Sequence, residues 1–170
     1  MAATLTKAAI RWSLLGITIG GADREWRLNV VAALRALGSR TIEDAATPAD
    51  VWASLVKRPA DVLIFATELQ GESIELVRRL RNPSLTPRPH IQIIVLTKDL
   101  SEDSVGTWVK AGVDYLCGWP ASTSVVLTRL VRTVTNPVPK IVVPTYVGPD
   151  RRRAPRSAYN GQDRRRSRQR

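Results

Sequence analysis

Two copies of one pattern of tyrosine, glycine, aspartate and arginine lie near the carboxyl end of the chain and are its strongest candidate for binding chemistry. The first copy covers residues 146–153 and the second residues 159–166, and six of the eight positions are identical at a period of 13. Each copy places an aspartate directly before three arginines. The residues predicted to bind a ligand are Tyr146, Asp150, Arg151, Arg152, Arg153, Arg156, Tyr159, Asp163, Arg164, Arg165 and Arg166.

These residue types match the hydrogen-bonding groups of a guanine nucleotide. Arginine donates two hydrogen bonds to O6 and N7 of guanine, or stacks on the base. Aspartate accepts from the N1–H and N2 amino groups, which a cation cannot do. Tyrosine offers a further stacking surface, glycine lets the backbone approach closely, and the remaining arginines pair with phosphates. The pattern therefore predicts a ligand that contains guanine and phosphate.

A second interpretation of the same arginines is a basic tail that neutralises any polyanion, such as nucleic acid or an acidic membrane. The formal charge of +11 divides into +7 from residues 145–170, which hold nine arginines and two aspartates, and +4 from the other 144 residues. The basic character is thus a property of the tail and indicates an anionic partner. A polycation gains nothing from an aspartate beside each arginine run, so the repeat favours specific recognition.

The composition excludes several other kinds of site. With one cysteine (Cys117) and one histidine (His90), the chain can form neither an intramolecular disulfide nor a metal cluster of these residues. It also contains no nucleophile–base pair and no phosphate-binding loop, which predicts a protein that is not an enzyme. The apolar stretch before Asp23 is interrupted by Arg11 and favours a buried strand over a signal peptide. No apolar run approaches the ~20 residues of a membrane span, so the chain is predicted to be cytoplasmic.

Five short apolar runs alternate with five amphipathic stretches along the body of the chain. The spacing predicts strands near residues 14–18, 41–42, 61–65, 91–96 and 113–117. It predicts helices over 24–37, from 48, over 72–81 with the arginines outward, from 101, and over 122–134. Strand–helix units of this length predict an α/β fold with a five-stranded parallel doubly wound sheet and a disordered C-terminal tail.

Three segments of this body resemble the CheY-like receiver domain of response regulators, which has a flavodoxin-like fold. They are residues 61–71, Leu96–Thr97 and the run Ala111-Gly112-Val113-Asp114-Tyr115-Leu116. The resemblance extends over most of residues 12–134. It implies a phosphorylation site with a carboxylate nucleophile after the third strand, an acidic pair after the first that holds Mg²⁺, and a lysine after the fifth. The metal and the lysine would neutralise the developing charge.

The sequence departs from that family at each of these positions. Ala66 occupies the phosphoacceptor position, Gly21-Ala22 the acidic pair with only Asp23 beside it, and Gly118-Trp119 the lysine. Thr97 and Tyr115 match the switch threonine and aromatic of the family. We expect a degenerate pseudo-receiver that binds no metal and accepts no phosphate. Trp119 is open to two interpretations, packing in the core or docking of a partner beside the former site.

The tail resembles that of the Cle-type CheY-like regulators, whose arginine-rich stretch binds cyclic di-GMP and which act on the flagellar motor. The resemblance implies cyclic di-GMP as ligand and the flagellar motor switch as the protein partner. Two repeats suit a ligand with two guanines and two phosphates, although Gln162 replaces the proline of the first copy. The alternatives are a nucleic-acid-binding protein that uses the basic tail and an adaptor that needs no ligand.

The predicted organisation has four parts. Residues 1–11 form an N-terminal lead, 12–134 the receiver-like domain, 135–147 a proline-containing linker, and 148–170 the arginine-rich tail. Prolines at this density favour an extended connector. The tail has almost no aliphatic residues and cannot bury enough surface to fold alone.

Overall fold

The computed structural model describes residues 10–67 and 70–151 of the 170-residue chain. Five parallel strands form one sheet in the order β2-β1-β3-β4-β5, with a helix after each strand. The strands are β1 (Gly16–Gly20), β2 (Thr41–Ala45), β3 (Val62–Thr67), β4 (Gln92–Thr97) and β5 (Tyr115–Gly118). The helices are α1 (Arg24–Ala36), α2 (Pro48–Lys57), α3 (Gln70–Arg81), α4 (Glu102–Ala111) and α5 (Thr123–Thr135). The predicted fold class is confirmed.

Helices cover both faces of the sheet and bury two separate hydrophobic clusters. Alternate residues of β3 point to opposite faces, so Leu63 and Phe65 pack with α2, α3 and α4, whereas Val62, Ile64 and Ala66 pack with α1 and α5. This two-sided burial explains why β3 and β4 are almost continuously apolar. No helix within the described ranges is both long enough and apolar enough to cross a membrane.

Side-chain caps fix where the helices begin. Asp23, Ser101 and Ser122 each accept a hydrogen bond from a backbone amide in the first turn of α1, α4 and α5. Thr47 and Asp50 form a reciprocal capping box at the start of α2. These caps fix the turns that join strands to helices, and the side chains at the carboxyl ends of the strands lie at these turns.

The strand boundaries differ from the sequence prediction by up to three residues, most clearly in β1 and β2. Leu14, the predicted start of the first strand, belongs to a turn of 3₁₀ helix, and β1 begins at Gly16. Strand β2 has five residues instead of the predicted two because every one of them pairs with β1. Its polar residues are supported from outside the strand: Arg58 pairs with Glu43, and Arg27 pairs with Asp44.

A β-hairpin follows the last helix, and the sequence analysis did not predict it. Strands β6 (Lys140–Val143) and β7 (Tyr146–Pro149) pair antiparallel, with Pro144 and Thr145 in the turn between them. The prolines favour extended backbone, but the β-branched run before Pro144 pairs with the chain that follows it. The hairpin thus contains the first four residues of the first repeat.

Candidate functional site

Ala66, the predicted phosphoacceptor position, lies near the end of β3 beside an apolar cavity. Its side chain is buried, and the cavity of about 240 Å³ is lined by Gly21, Ala22, Ala46, Pro48, Phe65, Ala66, Thr67 and Ser73. Gly21 has a φ of +148°, and a Cβ there would lie 2.8 Å from the carbonyl oxygen of Ala66. A glycine is therefore required where β1 and β3 approach each other at this edge. An alanine side chain has no atom that could accept a phosphoryl group.

A guanidinium, rather than a pair of carboxylates, lies against the end of β1. Arg27 is buried and donates hydrogen bonds to the carbonyl oxygen of Gly21 and, at 2.5 Å, to Asp44. Asp23 is committed to capping α1, since its Oδ1 accepts from the Trp26 amide at 2.9 Å. Mg²⁺ takes oxygen ligands and needs carboxylates. Within the described residues no three His, Cys, Asp or Glu side chains lie close enough to hold a metal, and the groups at this edge do not fit Mg²⁺.

The end of β5 carries an aromatic side chain where a lysine would be needed. Trp119 is half-buried and packs edge-on against Trp26, with ring centroids 5.1 Å apart. Its amide donates to the carbonyl oxygen of Thr97 at 3.0 Å. Thr97 is buried at the end of β4, and the Tyr115 hydroxyl donates to the carbonyl oxygen of Asn136 at 3.4 Å. Trp119 therefore packs against the core, and its exposed part borders a second cavity of about 360 Å³ with Ala22, Asp23, Ala66 and Thr67.

Three of the predicted ligand-binding residues lie within the described part of the chain, in the hairpin or directly after it. Tyr146 begins β7, the Asp150 amide donates to the carbonyl oxygen of Pro139 at 2.6 Å, and the Arg151 guanidinium donates to the carbonyl oxygen of Val113. The predicted positions Arg152, Arg153, Arg156, Tyr159, Asp163, Arg164, Arg165 and Arg166 lie outside the described residues. The first copy of the repeat thus starts at the amino ends of the strands, away from Ala66.

An ionic network that the sequence analysis missed holds the hairpin there. Arg81 is fully buried and donates to the carbonyl oxygens of Gly112 (2.8 Å), Pro89 (2.8 Å) and Ile91 (2.6 Å). It also pairs with Asp114 at 2.7 Å. Asp114 is buried as well, and it accepts further hydrogen bonds from the Ile93 amide at 2.7 Å and from the ammonium of Lys140.

The prediction that the arginines of helix 72–81 point outward is wrong for Arg81. Arg81 lies four residues after Val77 and seven after Ile74, on the face that packs against the sheet. The helical spacing that identified Ile74 and Val77 as inward residues therefore contained the signal for Arg81. Arginine is so seldom fully buried that its residue type concealed the position.

Burial and charge shift the acid–base behaviour of this network. Burial, and then the nearby Arg81, lower the pKa of Lys140 from 10.5 to about 8, while Asp114 opposes the shift. Burial lowers the pKa of Arg81, again against the effect of Asp114. Burial raises the pKa of Tyr146, and the positive charge of Arg81 opposes that shift. The network therefore holds two cations and a phenol in surroundings that disfavour their charged forms.

Two glycines make room for Tyr146. A methyl group on Gly148 would overlap the Tyr146 hydroxyl, and a Cβ on Gly112 would lie 2.8 Å from the same oxygen. Residues 146 and 148 are two apart on one strand, so their side chains share a face. In the first copy, the Tyr-x-Gly spacing is therefore explained by packing inside the protein.

No protein-family model and no curated protein sequence matches this chain. Solved structures do match it. The chemotaxis response regulator CheY4 of Vibrio cholerae is 21% identical, with a TM-score of 0.60 over 69% of this chain and 98% of that one. The signal receiver domain of a DNA binding response regulator protein from Colwellia psychrerythraea is 22% identical, with a TM-score of 0.61 over 72% and 99%. A CheY-like receiver domain protein from Methanospirillum hungatei is 19% identical, with a TM-score of 0.57 over 71% and 94%. At these identities the similarity establishes the architecture, and the chain has the fold of a CheY-like receiver domain.

Proposed function

We propose that this chain is a non-enzymatic signalling effector that has the receiver fold but does not use phosphorylation, and that it receives its signal as cyclic di-GMP at the arginine-rich tail. Two side chains at the carboxyl ends of the strands support the first half: Ala66 near the end of β3, and the buried Arg27, which donates to the Gly21 carbonyl oxygen after β1. Phosphoryl transfer needs an oxygen nucleophile and concentrated positive charge around the phosphoryl group. Among the described residues, this edge has no carboxylate at the predicted acceptor position, and the carboxylates of Asp23 and Asp44 are engaged in a helix cap and an ion pair.

The tail chemistry supports the ligand. Nine arginines follow position 145, each repeat carries one aspartate, and the pattern provides donors for guanine O6 and N7 with an acceptor for its N1–H edge. Arg151, the first of these arginines, lies on the surface of the body. A nucleotide held by the tail would thus lie next to the domain and alter its surface. That surface is proposed to dock on a protein partner, the flagellar motor switch being the partner we infer.

The absence of phosphorylation is tested with a small phosphodonor and Mg²⁺. We expect the intact mass of the protein to stay unchanged, because no carboxylate stands at position 66. The control is a receiver domain with an intact acceptor, treated in parallel. A stable adduct of one phosphoryl group on this chain would contradict the proposal.

The ligand is tested by calorimetric titration of the full chain with cyclic di-GMP. We expect saturable binding, and weak binding of cyclic di-AMP, which lacks the N1–H and N2 donors of guanine. Equal binding of both nucleotides and of an unrelated oligonucleotide, with a steep loss of affinity in salt, would indicate a nucleic-acid-binding polycation instead.

A further inference from the structure

At the open end of the hairpin, cationic side chains outnumber the buried carboxylate that they surround. We call the set Arg81, Asp114, Lys140, Tyr146 and Arg151 the hairpin base. Lys140 pairs with Pro149 at the open end of the hairpin, and Arg151 follows two residues later, so both cations lie at that end. Arg81 and Lys140 both contact Asp114, and Arg151 acts on Lys140 as a further positive charge. Three cations thus lie around one buried carboxylate, and when the half-buried Asp150 between Pro149 and Arg151 is counted as well, this end holds three cationic side chains and two acidic ones.

Asp114 is already engaged on both oxygens. Its Oδ2 accepts from Arg81 and from the Ile93 amide, each at 2.7 Å, and its Oδ1 accepts from Lys140. One of the three ammonium donors of Lys140 is directed to Asp114, and one of the five guanidinium donors of Arg151 to the Val113 carbonyl oxygen. The donor capacity of the two hairpin cations therefore exceeds what this carboxylate can accept.

The electrostatics of Lys140 agree with this imbalance. Its side chain is only 8% exposed, and the combined effect of burial, Arg81 and Arg151 outweighs Asp114, so its pKa falls to about 8. An anion from solution beside Lys140 and Arg151 would offset more of that repulsion than Asp114 does alone and could accept hydrogen bonds from both cations. Arg151 is exposed, so an anion from solution can reach this place.

We propose that the hairpin base is a binding site for a phosphate group, held by Lys140 and Arg151 with the Tyr146 hydroxyl beside them. The phosphate is one of the two phosphodiesters of cyclic di-GMP, so the inference rests on the proposed function. A phosphate there joins the start of β6 to the chain that leaves β7 and closes the open end of the hairpin. The first repeat then has two tasks: it docks on the body through Tyr146 and Gly148, and it receives phosphate through Arg151.

The test compares the full-length protein with two variants that lose the same charge. Lys140→Gln removes one of the two cations of the site, whereas Lys57→Gln removes an exposed lysine at the end of α2, outside the hairpin base. Calorimetric titration with cyclic di-GMP should show a loss of affinity of about tenfold or more for Lys140→Gln, because a charged hydrogen-bond partner is removed. Lys57→Gln should change the affinity less than about twofold, as expected for a remote surface charge. Equal affinities of the two variants would overturn the proposal.

A second measurement does not depend on how well Lys140→Gln folds. The backbone amide resonances of the wild-type protein are followed by NMR while inorganic pyrophosphate is added. We expect the largest shifts at Lys140, Tyr146 and Arg151, and smaller shifts at the end of β3. Shifts that are confined to other residues, or that are absent at these three, would overturn the phosphate site.

The two measurements separate this inference from the proposed function. If the wild-type protein fails to bind cyclic di-GMP, the proposed function and the phosphodiester source are both overturned, and pyrophosphate still decides whether the hairpin base binds phosphate. If cyclic di-GMP binds the wild type and both variants equally, the proposed function stands and this inference is overturned.

Discussion

The guanidinium of Arg27 is buried against the end of β1, where it donates to the Gly21 carbonyl oxygen and to Asp44. A receiver that used Mg²⁺ would need negative charge at this edge, and a buried arginine supplies the opposite sign. Arg81 has a corresponding place at the amino edge, where it donates to three carbonyl oxygens and one carboxylate. A buried arginine thus lies at each end of the strands and donates hydrogen bonds to main-chain carbonyl oxygens and to a carboxylate.

Removal of the Arg81 guanidinium should be among the most destabilising single changes in the chain. Arg81→Ala leaves Asp114 buried with less compensation and three buried carbonyl oxygens without their donor, so we expect a loss of about 3–5 kcal/mol. The matched control is Arg78→Ala on the same helix, whose side chain is 58% exposed, with an expected change below about 0.5 kcal/mol. Urea unfolding followed by tryptophan fluorescence measures both. A loss for Arg81→Ala that is no larger than the control would show that the network contributes little to stability.

The two repeat aspartates separate specific recognition from simple charge attraction. Asp150→Asn together with Asp163→Asn changes the formal charge from +11 to +13. If these carboxylates accept from the guanine edge, cyclic di-GMP affinity should fall at least tenfold, since each charged acceptor contributes about 1.5–3 kcal/mol. A polycationic tail would instead bind every polyanion more tightly after the change. Calorimetry with the double variant therefore gives opposite signs for the two explanations, and unchanged or tighter binding would favour the nucleic-acid interpretation.

At the scale of single elements, the hairpin depends on the absence of a side chain at position 148. Gly148→Ala places a methyl group on the Tyr146 hydroxyl, so the hairpin must open or Tyr146 must leave its place beside Gly112. We expect a loss of about 1–3 kcal/mol, the usual cost of overpacking.

Gly106→Ala is the matched control for that change. Gly106 lies within α4, and a Cβ there meets nothing within 4 Å. The substitution should stabilise the protein by about 0.5–1 kcal/mol because alanine is the better helix former. Thermal unfolding of both variants measures the pair, and equal melting temperatures would refute the steric account of the Tyr-x-Gly spacing.

The elements differ in how well the sequence predicted them, for identifiable reasons. Strands β3 and β4 are buried on both faces, so each is a nearly continuous apolar run that the sequence analysis could identify as a strand. Strand β2 contains the acidic residues Glu43 and Asp44, so its sequence does not look like a buried strand. It is a strand because it pairs with β1 and because Arg58 and Arg27 form ion pairs with these two residues, which are tertiary contacts. The hairpin was missed since Pro144 in its turn was interpreted as part of an extended connector.

The candidate site shows the same division. Ala66 was assigned through the resemblance to receiver domains, which places the acceptor directly after the third apolar run. The Arg81–Asp114 pair joins residues 33 positions apart, and no local sequence pattern indicates such a contact. Tyr146 and Gly148 were noticed because they recur, and the structure gives a packing reason for the first copy. The predicted roles of the second copy stay predictions.

At the scale of the whole molecule, the carboxyl ends of the parallel strands, where Ala66 lies, and the hairpin are at opposite ends of the sheet. Asp114 directly precedes β5 and Trp119 directly follows it, and a strand of four residues spans about 13 Å. The predicted ligand-binding residues therefore begin at the amino ends of the strands, and the cavities beside Ala66 lie at the carboxyl ends. A ligand at the hairpin base would leave the carboxyl edge open to a partner.

Truncation tests whether the hairpin belongs to the folded domain. A chain that ends at Arg151 keeps the Lys140–Asp114 pair and the buried Val147, so its stability should match that of the full chain within about 0.5 kcal/mol. A chain that ends at Pro139 loses both and should be less stable by about 2 kcal/mol or more. Thermal and urea unfolding measure the three chains. Equal stability of the two truncated chains would mean that the hairpin is an appendage without a structural role.

The contacts that hold the hairpin have a consequence for how this sequence can change over generations. Arg81 and Arg151 bind main-chain carbonyl oxygens of Gly112, Pro89, Ile91 and Val113, which every amino acid carries. These hydrogen bonds therefore place no constraint on the residue types at positions 89, 91 and 113. The docking instead requires an arginine at 81, an acid at 114 and small residues at 112 and 148. Diverged descendants of this chain should be traceable by those few positions even where little other sequence identity remains.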